Sequence, residues 1–138
     1  MAAPTPTTYT EWNGSRGMTY WRAEWTDGTQ LTDSVVVDIS ALGAPVPVSV
    51  RVIGAKCTLN GDVEVTLEFD ATTDRLIYVF EGQTDASIID VADFREGPNG
   101  GRSPAPSAAG FVGDILLTSA NAAGGDEVTL LVFYERKT

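Results

Sequence analysis

Asn60-Gly61-Asp62-Val63-Glu64-Val65-Thr66-Leu67-Glu68-Phe69-Asp70 alternates without a break. Val63, Val65, Leu67 and Phe69 take every second position, and Asp62, Glu64, Thr66, Glu68 and Asp70 fill the others. Successive side chains of a β-strand point to opposite faces, so this segment is a strand with one face in a core and one in water. Asn60-Gly61 in front of it is the strongest short hairpin signal in the chain, because both residues accept positive φ.

The same period of two governs the neighbouring segments. Upstream, Val48 to Lys56 sets Val48, Val50 and Val52 against Ser49, Arg51 and Ile53. In Met18 to Thr26, Thr19, Trp21, Ala23 and Trp25 share one face, and Tyr20, Arg22 and Glu24 the other. Asp27-Gly28 supplies turn chemistry, and Gln30 to Asp38 follows as a strand. Asp38 to Leu42 reads as one helical turn, which Pro45 and Pro47 prevent from continuing. Downstream, Leu76 to Phe80 is apolar on both faces and reads as a central strand. Ser87 to Phe94 is a weaker strand, and Glu96 to Gly110 a long Pro/Gly/Ser loop. Phe111 to Ser119 and Glu127 to Arg136 close the chain, joined by the hairpin-like Ala120 to Gly125. About eight strands with closely spaced turns, and no amphipathic run of helical length, predict an all-β fold. The expected architecture is an antiparallel β-sandwich, jelly-roll-like, as a single domain over residues 18–138. Residues 1–17, rich in Thr, Pro and Gly, are expected as an extended N-terminal arm, its polarity interrupted by Tyr9 and Trp12.

Composition narrows the function. The chain has 138 residues, with nine basic side chains against nineteen acidic ones and a formal charge of −10. That sign disfavours nucleic acid, whose binding draws on clustered Lys and Arg, and disfavours an anionic membrane surface. There is no histidine, which excludes imidazole-based triads, His-bound zinc and His pH switching. Cys57 is the sole cysteine, so neither an internal disulfide nor a Cys-rich metal site can form. No apolar run approaches the roughly 20 residues of a membrane-spanning helix. Met1 to Pro6 has neither a basic nor an apolar signal region, so synthesis as a cytoplasmic chain is expected.

Each candidate for chemistry has a plainer counterpart. The carboxylates Asp62, Glu64, Glu68 and Asp70 could serve as an acid–nucleophile pair of sugar hydrolysis, but a solvated outer face explains them without a cleft. Asp70 to Asp74 offers hard oxygen ligands for Ca²⁺, yet lacks EF-hand spacing and reads as a turn. Gly97 to Gly101 and Gly124 to Asp126 match no phosphate loop and open no helix. Trp21 and Trp25 are patterned for the core, leaving Trp12 and Tyr20 as aromatic platforms for a sugar or another partner. Cys57 reads as a small buried apolar residue. No catalytic, cofactor or metal residue is assigned, and the chain is not expected to be an enzyme.

Leu31-Thr32-Asp33-Ser34 through Asp38-Ile39-Ser40-Ala41-Leu42, then Leu67 to Asp74, Asp93-Phe94-Arg95, and Gly113 to Thr118 through Gly124-Gly125-Asp126 together resemble small virion proteins of tailed bacteriophages. That family is similar to capsid decoration (cement) proteins, and the resemblance runs from about Trp21 to the C-terminus. It implies a structural protein on the outer surface of the phage head, bound to the major capsid protein and stabilising its lattice. Tyr9 and Trp12 are then expected as anchors of a capsid-binding arm. Leu131 and Phe133, in a last strand apolar on both faces, become candidates for a subunit interface, with a homotrimer on a local threefold axis as the expected assembly. The other expectation is a carbohydrate- or receptor-binding sandwich of a phage tail or head fibre.

Overall fold

A computed structural model describes residues 3–44, 46–95, 101–103, 110 and 112–137. Nine strands form: β1 (Thr7–Trp12), β2 (Arg16–Glu24), β3 (Ser34–Val37), β4 (Val50–Asn60), β5 (Glu64–Phe69), β6 (Arg75–Glu81), β7 (Ser87–Asp93), β8 (Ile115–Ala120) and β9 (Glu127–Arg136). They make a five-stranded sheet, β1-β2-β9-β4-β7, and a four-stranded sheet, β3-β8-β5-β6, with every pairing antiparallel. The pairs β5–β6, β4–β7, β3–β8 and β2–β9 are nested one outside another and fall alternately in the two sheets. A long double ribbon wrapped around a core has this connectivity, and β4–β9 and β5–β8 contacts seal its two layers. This is a jelly roll, with β1 added beside β2.

The alternation read from sequence fills the space between the sheets. Val63, Val65, Leu67 and Phe69 are buried, as are Trp21, Ala23 and Trp25 facing them from the other sheet. Asp38 caps a single 3-10 turn, Ile39–Ala41, by accepting a hydrogen bond from the Ser40 N–H. Cys57 is fully buried, and burial pushes its thiol up to about 12.

Several sequence expectations are corrected. The arm is an element of the fold: from Thr7 to Trp12 it is the edge strand β1, hydrogen-bonded along its length to β2. Asn60-Gly61 turns no hairpin, since β4 and β5 lie in different sheets; Gly61, at φ +102°, carries the chain across the core. Ala120 to Gly125 likewise crosses between sheets. β6 is an edge strand rather than a central one, with Leu76 56% exposed. β4 starts at Val50, leaving Val48 exposed. Most of the loop expected over 96–110, and Phe111, lie outside the described residues.

Candidate functional site

Strand register brings distant residues together on the outer face of the five-stranded sheet. Tyr9 opposes Tyr20, Tyr20 opposes Leu131, Leu131 opposes Lys56, and Lys56 opposes Val91, one residue from each strand. At about 4.8 Å between strands this row spans roughly 19 Å. The next row is Glu11, Met18, Phe133, Gly54 and Asp93, and the row on the other side is Thr7, Arg22, Thr129, Thr58 and Ile89. Tyr9, Ile89, Val91 and Phe133 are all exposed.

A bulge in β4 between Val52 and Gly54 adds Ile53, and Gly54 has no side chain to fill the space beside Phe133. A shallow groove of about 370 Å³ results, lined by Gly54, Lys56, Val91, Asp93, Arg95 and Phe133 among others. A second hollow of about 470 Å³ continues it past Phe133 and Ile53 to Met18 and Glu11.

Charges on this face largely neutralise one another. Arg22 lies 3.2 Å from Glu127, Arg95 2.9 Å from Asp93, and Arg16 3.8 Å from Glu135, which also holds Arg51. The Arg95 guanidinium and N–H hold the exposed Asp93 carboxyl down at about 2. Glu11 accepts a hydrogen bond from the Tyr9 hydroxyl at 2.9 Å, which raises the Tyr9 pKa. With Glu24 and Lys56, five basic residues meet five acidic ones here, so the remainder of the chain holds four basic against fourteen acidic residues. All of the −10 formal charge therefore belongs to that remainder.

The residues singled out from the sequence divide between the two faces. Tyr9 and Tyr20 stand on the outer face, together with Leu131 and Phe133, while Leu130, Val132 and Tyr134 of the same strand are buried inside. Trp12 is not a free anchor. It lies over Gly17 on the inner side and stacks on Tyr134, ring centroids 6.1 Å apart and planes at 19°. A chain of hydroxyls backs that stack, Thr10 to Thr19 and Thr19 to Tyr134, each at 2.9 Å.

Glu64 and Glu68 stand on the outer face of β5, four residues apart, roughly 13 Å along an extended strand. That exceeds the about 5–10 Å of a glycosidase carboxylate pair. The Asp74 carboxylate accepts from the Ala71 N–H at 3.0 Å, and both Val112 and Gly113 donate to the Asp70 carbonyl, so the Asp70–Asp74 loop is a turn that ties β5 to the segment before β8. Sequence reading missed a different grouping: Asp33, Glu68 and Asp74 bring carboxylate oxygens within 4.8 Å of one another. Such hard oxygens could hold a divalent cation. Burial, then the Asp74 and Asp33 charges, raise the Glu68 pKa.

No family model matches the chain, and neither does any curated protein. Among solved structures, a family 29 carbohydrate-binding module superposes with a TM-score of 0.37 at 7% identity, over 97% of this chain and 76% of that one. The family 11 carbohydrate-binding module of a cellulosomal cellulase of Clostridium thermocellum gives 0.31 at 8%, covering 100% and 85%. The infectious bursal disease virus Gx strain structure gives 0.24 at 11%, covering 98% and 37%. Scores this low relate no residue of those proteins to a residue of this chain. The class of the protein, a two-sheet all-β sandwich of jelly-roll connectivity, rests on its own strand order.

Proposed function

We propose that this protein is a binding module and not an enzyme: a decoration protein that attaches to the outside of a phage head and stabilises the lattice of major capsid proteins. The resemblance of the Leu31–Leu42, Leu67–Asp74 and Gly113–Asp126 segments to phage virion proteins supplies the partner. The observation that carries the adhesive part of the reading is the open, near-neutral, partly apolar face of the five-stranded sheet. A rigid sandwich suits the task, because a protein that bridges capsomers only in the expanded shell stabilises that shell by differential binding. Grouping of three copies about a local threefold axis belongs to the same reading, since repeated weak contacts gain from multivalency. Mixing the purified protein with heads that lack it, then sedimenting them, tests the proposal. Saturable uptake and increased resistance of the heads to heat or chelation are expected; an unbound protein refutes it.

A second reading is favoured by one observation: Tyr9, Tyr20 and Phe133 present aromatic surface on a single open face beside Glu11, Arg22 and Lys56. Aromatic rings flanked by polar groups are the chemistry of sugar stacking. A glycan- or receptor-binding role on a tail or head fibre would show as saturable glycan affinity lost on Tyr20→Ala.

A further inference from the structure

We infer that the protein sits on the shell with its five-stranded sheet inward, so that the Tyr9–Tyr20–Leu131–Lys56–Val91 row meets the capsid protein and the acidic four-stranded sheet faces solvent. This orientation rests on the decoration reading above.

Two observations on the molecule select the face and its occupant. The first is charge. The entire formal charge of −10 lies away from this face, and among the described residues Lys56 at its centre has no ion-pair partner. Any other side of the sandwich would bring a dense field of carboxylates against the partner and desolvate them. Here the contact desolvates mainly Tyr20, Leu131, Phe133 and Val91, leaving Lys56 to meet an acidic group of the capsid protein. The complementary partner surface is therefore apolar with an isolated carboxylate.

The second is area. Five strands by three rows give a patch of roughly 20 by 25 Å, about 400–500 Å². A stable two-partner interface takes about 800 Å² from each side. The patch is too small to hold a second copy of this chain as a lasting dimer in solution. It suffices on a lattice, where other contacts of the same molecule act together with it. The shell, rather than another copy, is the occupant that this size fits.

The test compares uptake of variants by heads lacking the protein, with thermal unfolding followed by circular dichroism on each variant. Lys56→Glu and Val91→Glu, both at exposed positions, should weaken uptake about tenfold or more while the unfolding midpoint stays near wild type. Phe133→Glu should do the same, and the two exposed substitutions keep the test decisive if Phe133→Glu unfolds. Glu64→Lys and Glu81→Lys on the four-stranded sheet should bind within about twofold of wild type. Wild-type uptake by variants at Lys56 and Val91 would overturn the orientation alone. A wild-type protein that fails to bind heads would instead remove the decoration reading beneath it. A dimer that persists at micromolar concentration and dissolves on Val91→Glu would overturn the choice of occupant.

Discussion

Gly17 is the residue on which the N-terminal strand depends. A Cβ there would fall into the Tyr134 ring and 2.8 Å from Trp12 Cε3, so the stack of Trp12 on Tyr134 exists only because the position between them is empty. Gly17→Ala is expected to cost about 1–3 kcal/mol, the range for overpacking, read as a lower urea midpoint. Glu68 makes a prediction in pH. Its folded-state pKa is raised by burial and by Asp74 and Asp33, so its favourable contribution is complete below the ordinary glutamate value of about 4.3 and is lost as pH rises through the folded value. Glu68→Gln should therefore raise the melting temperature at neutral pH and leave it unchanged below about pH 4. Cys57, buried and with its thiol pushed up to about 12, should react with a thiol reagent only as fast as the domain unfolds.

At the scale of elements, β1 is the part whose role changed most between sequence and structure. Removing residues 2–12 should destabilise the domain by at least about 2 kcal/mol, through loss of Trp12 packing and of the Thr10–Thr19 bond. Chemical denaturation of the truncated chain checks this; unchanged stability would mean that β1 is a dispensable arm after all. The sequence made β2, β5, β7 and the inner face of β9 legible because each alternates with period two, and the Asp38 cap because Asp before a short turn has a local cause. It hid β1 because Thr-rich, exposed residues with prolines before them carry no apolar period; the pairing comes from Trp12 finding Tyr134, 122 positions away. Asn60-Gly61 misled for a related reason: the local preference for positive φ is real, and only the partner of the next strand decides whether the turn closes a hairpin or crosses a core. The outer-face row was invisible for want of register. Tyr9, Tyr20, Leu131, Lys56 and Val91 become neighbours only once β1, β2, β9, β4 and β7 are laid side by side.

At the scale of the whole molecule, the sandwich is polarised. One broad face is near neutral and partly apolar, and the rest carries all of the formal negative charge. Solvent-facing carboxylates would keep a coated particle from sticking to its neighbours, while the neutral face adheres. Adhesion of this kind depends weakly on ionic strength, unlike attachment by charge, which is screened within about 10 Å at 0.1 M salt. Uptake by heads should thus change little between low and high salt; a steep loss would point to an electrostatic interface elsewhere. Electron cryomicroscopy of the purified particle bears on attachment, location and orientation at once. Jelly-roll density is expected over the outer surface of the head, at a copy number comparable to the major capsid protein, with the Tyr20–Leu131–Lys56 side against the shell. Bare heads, or the chain found only at the tail, would contradict a decoration role.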